Sequence, residues 1–275
     1  MRARTGWILV IGLWSGCNFD LNLERLTPEQ AREAVEEVTL AQQAVTLASV
    51  SIEVGTDFTI GDAVTQAAAN LRSFVESQLP CAEVTLTDAT LDIEYGAREG
   101  DCSYRGHEFA GHHRITVQSN DAGDIRVEHE WDNFNDGQVR IDGSAEVTWA
   151  RDDRSRQIQH ELTWTRLEDG LMGVGRGSRV QRPLEGDLRE GIVVSGSRTW
   201  EGDAGRWSLD IVEDVEMRWA DPVPQAGRCM IKTASDKHLL LKFTRIDEDT
   251  IEVLVGDALR GLTFHVHSRG TISQE

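Results

Sequence analysis

A strict alternation of apolar and polar residues runs through much of the chain after Cys81 and restricts what the chain can fold into. The residues in the apolar phase of its two clearest segments are Val139, Ile141, Ala145, Val147 and Trp149, then Ile158, His160, Leu162 and Trp164. A period of two places these side chains on one face of a strand. Turn sequences such as Asn135-Asp136-Gly137 separate the segments. The pattern predicts a mainly β fold, a long-stranded antiparallel meander with one buried face.

The predicted buried face is rich in tryptophan, and an exposed face of that kind would aggregate. Its tryptophans are Trp149, Trp164, Trp200, Trp207 and Trp219. Two coverings fit the sequence. Either the sheet curves over itself, as a curved sheet or a sandwich, or preceding helices pack on it. In either case the aromatic side chains fill a core or, alternatively, hold an apolar ligand such as a lipid.

Mid-strand glycines are a second feature of the β region. Gly143, Gly177 and Gly196 each precede a serine inside a predicted strand. Such glycines often mark a bulge or a bend where a sheet curves.

Two helices are predicted before the strands. Thr27-Pro28-Glu29-Gln30 is typical of a helix start, with Thr as N-cap, Pro at the first helical position and Gln completing a capping box. Apolar residues at helical spacing continue to about residue 51, and a second helix is predicted from about Asp62 to Leu79, before Pro80. We therefore expect a helical hairpin over 27–80 and an antiparallel β domain over 81–270, with a connector at 221–227.

The N-terminus carries a targeting pattern. Arg2 and Arg4 precede the apolar run Trp7–Trp14, and Ser15-Gly16-Cys17 follows it. This resembles a bacterial lipoprotein signal peptide that ends in a lipobox, although Trp14 stands where Leu is usual. The run is far shorter than the ~20 residues that span a bilayer. The alternative is an ordinary secretory signal peptide that is cleaved near Gly16.

The resemblance implies that residues 1–16 are removed and that Cys17 is acylated, which anchors the protein in the membrane through its N-terminal lipid. Residues 17–26 then form a tether. Asn18, in place of the Asp that tends to retain lipoproteins at the inner membrane, favours the outer membrane. We expect an envelope lipoprotein that faces the periplasm or the cell surface.

The charge of the chain argues against one class of partner. It has 28 Lys and Arg against 47 Asp and Glu, a formal net charge of −19. A polyanionic surface repels nucleic acid, so no nucleic acid partner is expected.

Three cysteines follow Cys17, namely Cys81, Cys102 and Cys229. Export permits a disulfide. Cys81 and Cys102 are the closest pair in sequence and flank a predicted hairpin, but Cys229 can pair with either, and spacing alone leaves the choice open.

The stretch from Cys81 to about Trp149 resembles a family of uncharacterised bacterial lipoproteins, common in Bacteroidetes and also found in myxobacteria. The residues that carry the resemblance are Cys81, Val84, Leu91-Asp92-Ile93-Glu94-Tyr95-Gly96, Cys102, Gly106, Gly111, Ile115-Thr116-Val117, Asp132-Asn133-Phe134 and Val139-Arg140-Ile141-Asp142-Gly143-Ser144. The resemblance implies a Cys81–Cys102 disulfide and a β-rich secreted fold. It implies no activity.

Histidine can act as a catalytic acid or base or as a metal ligand, so the positions of the histidines matter. His107, His112 and His113 are close in sequence, with His129 and His160 nearby. His107 and His112 are five residues apart, so they do not share a helical face as a zinc-protease motif requires. We expect turn and strand histidines that are partly exposed, and a metal site assembled from several strands is the alternative. Neither the Gly-Ser pairs nor Gly173-Val174-Gly175-Arg176-Gly177 lies in a nucleophile elbow or a phosphate loop.

The sequence therefore predicts neither catalytic residues nor a cofactor. The leading hypothesis is a membrane-anchored envelope lipoprotein with a non-catalytic structural or binding role. Its partner besides the membrane is then an apolar ligand or an envelope protein. The alternatives are a carrier or scaffold for an apolar ligand such as a lipid, and an envelope hydrolase.

Overall fold

A computed structural model describes residues 26–55, 62–121, 124–150, 154–256, 261–268 and 270–274. The predicted signal peptide over 1–16 and the predicted lipidation site Cys17 lie outside the described residues, as does all but the last residue of the tether. None of the helices within the described ranges has the length and apolar character needed to cross a membrane.

The described residues form two helices followed by sixteen strands. The helices are α1 (Pro28–Val54) and α2 (Val64–Gln78). The first eight strands are β1 (Glu83–Thr87), β2 (Thr90–Tyr95), β3 (Ser103–Tyr104), β4 (His107–Glu108), β5 (Ala110–Asp121), β6 (Asp124–Asn135), β7 (Val139–Ala150) and β8 (Ser155–Arg166). The remaining strands are β9 (Met172–Leu184), β10 (Asp187–Gly202), β11 (Gly205–Met217), β12 (Ala226–Lys232), β13 (His238–Arg245), β14 (Thr250–Val255), β15 (Leu262–His267) and β16 (Ile272–Gln274).

The strands follow the simplest antiparallel topology. In the described part of the chain, fourteen strands form one sheet in the order β1-β2-β5-β6-β7-β8-β9-β10-β11-β12-β13-β14-β15-β16, and β3 pairs only with β4. The sheet is open, since its order begins at β1 and ends at β16. The prediction of a mainly β protein with a long-stranded antiparallel meander after two helices is confirmed.

Helix α1 begins as the sequence predicts. The Thr27 hydroxyl accepts from the Gln30 backbone N–H, and the Gln30 side chain accepts from the Thr27 backbone N–H, both at 3.3 Å. The interior of α1 differs from the one-sided stripe of its apolar pattern, because nearly every residue from Val38 to Val54 is buried. The buried polar residues are Thr39, Gln42, Thr46, Ser49, Ser51 and Glu53.

The sheet encloses α1, which explains this burial. Hydrogen bonds join α1 to strands far apart in the sheet, from Trp131 of β6, which donates to Ser51 at 2.9 Å, to the Ile272 carbonyl of β16, which accepts from Arg32 at 3.3 Å. A sheet whose fourth and fourteenth strands, β6 and β16, contact one helix must curve around it. Both coverings allowed by the sequence therefore occur together.

Helix α2 is an ordinary amphipathic helix with Ala67, Ala68, Leu71 and Val75 buried. It packs on β1 and β5, near the edge of the sheet that β1 forms.

The inner face of the sheet carries four of the five predicted tryptophans, and Trp219 lies in the turn after β11. Trp164, Trp200, Trp207 and Trp219 are at most 4% exposed, and Trp149 is half-buried. Trp200 and Trp207 stack at a centroid distance of 6.2 Å. Burial of these large rings is a major part of the core energetics.

Two of the three mid-strand glycines mark irregularities, as predicted. Gly196 has a φ of +129° and lies where the β10–β11 register shifts, between Val194 and Ser197. Gly143 has a φ of +134°, and a Cβ there would lie 2.2 Å from the Glu161 carbonyl oxygen. Gly177 is in regular pairing and has a different role, described below.

Cys81 and Cys102 are joined by a disulfide that closes a loop with a sequence separation of 21. Cys229, on β12, is buried as a free thiol.

Candidate functional site

A narrow cavity lies between α1 and the inner face of β8 to β13, and we call it the α1 cavity. Its volume is about 40 Å³, which is room for ~2–3 water molecules. This is far below the ~300–1,000 Å³ of small-molecule sites, so a larger ligand can enter only if the walls move apart.

The lining of the α1 cavity is divided by strand into a polar and an apolar side. The side chains of the polar side come from α1 and β8 to β10: Gln42, Thr46, Ser49, His160, Arg179, Gln181 and Arg198. Those of the apolar side come mainly from β10 to β13 and include Ile192, Val194, Leu209, Ile211, Val215, Met217, Cys229 and Phe243.

Three arginines project inward from neighbouring strands beside the polar side. Arg156 on β8, Arg179 on β9 and Arg198 on β10 are diagonal neighbours, since Arg179 lies opposite Ile158 on one side and Gly196 on the other. Diagonal neighbours in a sheet are roughly 7–8 Å apart, so their charges interact.

Arg156 is the arginine with a carboxylate partner. It is 1% exposed, and its Nη1 donates to Glu53 Oε2 of α1 at 3.0 Å. Its Nε donates to Gln181 at 2.8 Å, and its guanidinium stacks on Trp149 at 5.6 Å. Burial is the main factor that lowers the pKa of Arg156, and Glu53 opposes it. This pair is neutral as a unit.

Arg179 has neutral hydrogen-bond partners. It is 5% exposed, and its Nη1 and Nη2 donate to His160 Nδ1 at 2.7 Å and to Ser49 Oγ at 3.1 Å. Its Nε is buried with no hydrogen-bond partner. Burial, followed by the charges of Arg156 and Arg198, lowers the pKa of Arg179 to about 9, so the side chain is still a cation at neutral pH.

Arg198 is half-buried as a whole, but its charged end is buried. Nη1 donates to Gln42 Oε1 of α1 at 2.9 Å, while Nε and Nη2 are shielded from solvent and have no hydrogen-bond partner. Its guanidinium lies 5.5 Å from the centre of the Trp200 ring. Burial lowers its pKa to about 10. Among the described residues, neither Arg179 nor Arg198 has an ion pair with Asp or Glu.

Two other titratable groups line the cavity, and neither carries a negative charge that would balance Arg179 and Arg198. Burial, with the charges of Arg179 and Arg198, lowers the pKa of His160 to about 2. Burial raises the pKa of the Cys229 thiol to about 12, and Arg198 only partly opposes this. Both groups are therefore neutral near pH 7, and the cavity wall retains two buried positive charges.

Gly177 allows this crowded arrangement. It lies on β9 directly between His160 and Arg198, its partners on the two adjacent strands. A Cβ at Gly177 would lie 2.6 Å from His160 Cε1 and 2.8 Å from Arg198 Cβ. The glycine leaves room over β9 into which the two larger side chains extend.

A second buried polar group lies beside the end of α1. Tyr95, His113 and His129 form a hydrogen-bonded row, with 3.3 Å from Tyr95 Oη to His113 Nδ1 and 3.0 Å from His113 Nε2 to His129 Nδ1. Both histidines are fully buried and stack with Trp131. Burial lowers the pKa of His129 to about 3 and that of His113 well below its ordinary value.

The remaining clustered histidines are nearer the surface. His107 donates from Nδ1 to Asp136 at 2.8 Å and from Nε2 to the Trp219 carbonyl oxygen at 2.9 Å. Burial alone would lower its pKa, but these two acceptors outweigh it and raise the pKa. His112 lies 3.3 Å from Asp92.

The prediction of partly exposed histidines is thus wrong for His113, His129 and His160. The alternation of its strand places His160 among the apolar positions, whereas we drew no indication from the sequence that His113 and His129 are buried. No group of three or more His, Cys, Asp or Glu side chains with metal-binding geometry occurs in the described ranges.

The glycine-linked serines are not assembled into a catalytic site. Ser144 lies on β7, whereas Ser178 and Ser197 face each other across β9 and β10. None of the three is hydrogen bonded to a histidine within the described part of the chain.

Sequence reasoning missed the arginine group, because arginine is almost never fully buried and is expected on an exposed face. The one sequence signal was the position of an arginine in the apolar–polar alternation of its strand. Arg156 shares the phase of Ile158, and Arg198 that of Trp200. The predicted tryptophans, by contrast, are buried as expected.

Comparison with known proteins adds no relative: no protein-family model, curated protein or solved structure matches this chain.

Removal of the Glu53 carboxylate tests the electrostatics of the arginine group. Glu53→Gln leaves Arg156 buried without a counter-charge, so we expect the free energy of unfolding to fall by about 3–5 kcal/mol. Glu36→Gln, at the exposed Arg32–Glu36 pair of the same helix, is the control and should change it by less than about 1 kcal/mol. Urea denaturation measures both. Equal effects of the two substitutions would contradict the account.

The buried histidines predict acid sensitivity. His113, His129 and His160 have lowered pKa values in the folded protein, so below about pH 6.5 the unfolded chain binds more protons and stability falls as the pH falls. Each histidine contributes a slope of up to about 1.4 kcal/mol per pH unit between about 6.5 and its folded pKa. His107, with its raised pKa, contributes with the opposite sign, since its stabilisation is lost as the pH rises.

Urea denaturation at pH 7, 6 and 5 tests this prediction. His160→Gln, which keeps a hydrogen-bond acceptor for Arg179, should reduce the dependence on pH by one histidine's contribution. His238→Gln, at an exposed position, should leave it unchanged. An unchanged slope in His160→Gln would show that His160 is protonated in the folded state.

Proposed function

We propose that this protein is a non-catalytic envelope lipoprotein whose folded domain binds an apolar ligand between α1 and the sheet. The observation that supports the binding role is the α1 cavity, whose apolar side is formed by β10 to β13. At about 40 Å³ the cavity is smaller than such a ligand, so binding requires this wall to move away from α1.

Membrane attachment is the second part of the proposal, and the lipobox-like sequence before Cys17 supports it. The tether over 17–26 connects that cysteine directly to α1, the helix that forms one wall of the cavity. A binding domain held at the membrane by its own N-terminus would act on molecules that leave or enter the bilayer.

Substitution of the lipidated cysteine tests the anchoring. We expect Cys17→Ser to move the protein from the membrane fraction to the soluble fraction, because the acyl chains are lost. Ser15→Ala keeps a small residue before the cysteine and is the control. Fractionation of whole cells followed by immunoblotting measures the distribution. Retention of Cys17→Ser in the membrane with unchanged electrophoretic mobility would contradict lipidation.

Filling the cavity tests the binding role. Laurdan, a neutral fluorophore with a lauroyl chain, should bind the mature Cys17→Ser chain saturably and shift its emission to the blue. Val215→Phe, at a buried lining residue, should weaken this binding by about tenfold or more, since the added ring occupies the cavity. Val212→Phe, on the same strand at a position 57% exposed, is the matched control.

Circular dichroism checks that each variant is folded, and Val194→Leu fills the same wall by less if Val215→Phe is not. Failure of the unsubstituted mature chain to bind laurdan would contradict the proposal. Equal affinity of the two phenylalanine variants would place any binding outside the α1 cavity.

A further inference from the structure

We infer that the tip of the β8–β9 hairpin is a membrane-contact surface, and that its partner is a lipid bilayer with electrically neutral head groups. We call this surface the apolar tip, and it consists of Leu167, Leu171, Met172 and Val174. The inference rests on the proposed function, because the lipid anchor at Cys17 is what brings a bilayer to this part of the domain.

The first argument is the concentration of exposed apolar side chains. Seven large apolar residues of the described ranges are exposed, and four of them lie within the eight residues from Leu167 to Val174. These four are between 37% and 52% exposed. Single exposed apolar residues are normal on a protein surface, whereas a cluster of them marks an interaction surface.

The second argument is that the fold holds these side chains outward. Gly173 and Gly175 occupy inward positions of β9, and the Trp164 ring packs so closely against them that a Cβ at Gly173 would lie 2.5 Å from it. Side chains alternate between the two faces of a strand, so Met172 and Val174 point outward. They have no inward space to which they could turn.

The turn of the hairpin is ordered by hydrogen bonds. Nε and Nη2 of Arg166 donate to the two carboxylate oxygens of Asp169 at 2.9 and 2.6 Å, and the Arg166 backbone N–H donates to the Leu171 carbonyl at 2.8 Å. Gly170 supplies the positive φ of +77° that the turn requires. Leu167 and Leu171 flank this turn and are therefore held in place before any partner arrives, which lowers the cost of binding.

The third argument is the position of the apolar tip at the end of the domain where α1 begins. Strand β8 starts beside the last turn of α1, where Arg156 donates to Glu53 at 3.0 Å. Beyond the other end of β8, Leu167 lines a surface depression together with Glu36 of α1. The strand therefore runs antiparallel to α1, and the apolar tip lies towards the start of the helix.

The tether brings a bilayer within reach of this end. Residues 17–26 span at most ~36 Å when fully extended. A bilayer that holds the acyl chains of Cys17 is therefore no farther than this from the start of α1. An apolar surface that faces a bilayer at this distance gains free energy when it enters the interface, and it adds a second contact to the lipid anchor.

Charge selects the kind of bilayer. The chain has a formal net charge of −19, and Glu168 in the turn of the hairpin and Glu29 and Glu33 in the first turns of α1 place negative charge at this end. Such a surface is repelled by anionic head groups. The apolar tip therefore fits a bilayer of zwitterionic lipid, which it enters through apolar contacts without electrostatic attraction.

Spin labelling of the lipidated protein tests the inference. The full-length chain with Met172→Cys is purified from membranes, labelled with a nitroxide and reconstituted in vesicles of dioleoylphosphatidylcholine. The measurement is the ratio of the collision rates of the label with oxygen and with a water-soluble nickel complex. We expect this ratio to be severalfold higher than for the same label on the mature Cys17→Ser chain in buffer, because the label enters the bilayer. Val174→Cys reports on the same face and should show the same change.

Ile246→Cys is the matched control, at an apolar position that is 51% exposed. Strand β13 starts beside the first turn of α1, where Lys237 Nζ donates to Gln30 at 3.3 Å, and runs away from it, so Ile246 lies at the opposite end of the domain. Its collision ratio should stay as it is in buffer. The buried Cys229 thiol should take up no label, and the chain without an added cysteine checks this.

Lipid composition tests the argument from charge. Replacing half of the phosphatidylcholine with dioleoylphosphatidylglycerol should reduce the change at Met172→Cys, because the anionic head groups repel this end of the domain. A larger change in the anionic vesicles would overturn the assignment of a neutral bilayer.

The outcomes separate the inference from the proposed function. If the purified full-length chain carries no acyl groups and does not reconstitute, the proposed anchoring is wrong and the inference falls with it. If the chain is acylated and reconstitutes, but the labels at Met172→Cys and Val174→Cys stay as accessible to the nickel complex as the label at Ile246→Cys, the anchor stands and the membrane-contact surface is overturned.

Discussion

The position of α1 inside the curved sheet is the constraint on which the other features depend. A helix enclosed on nearly all sides must satisfy its polar side chains within the protein. It does so by hydrogen bonds to inward-facing side chains of the sheet, from Ser51 with Trp131 to Gln42 with Arg198. These contacts fix the path of α1 across the strands. Where the helix and β10 to β13 do not meet fully, the α1 cavity remains.

The same enclosure explains why charged groups are found where a core would normally exclude them. Arg156 with Glu53 forms a neutral pair between sheet and helix. Arg179 and Arg198 use neutral groups of α1 instead, and so keep their charge on the cavity wall. Natural cores rarely retain uncompensated charge at the expense of stability unless it has a function. Because Gly177 has no side chain, it leaves the space beside the cavity that His160 and Arg198 occupy.

Much of the fold could be predicted from the sequence, because a period of two and the turn residues specify an antiparallel meander locally. The capping box at Thr27 predicted the start of α1, and glycine marked the backbone irregularities at Gly143 and Gly196. The burial of α1 on all sides was not predictable, since its apolar stripe describes one face and its enclosure depends on the curvature of the whole sheet. The site was missed for a related reason. An inward arginine differs from an outward one only in phase, and nothing else in the sequence marks it as buried.

The central claim is that the folded domain binds an apolar ligand between α1 and the sheet. Native mass spectrometry of the full-length protein extracted from the membranes of the cells that make it tests this claim most directly. The account predicts a non-covalently bound apolar molecule that is released on collisional activation. A protein that carries no bound molecule would contradict it.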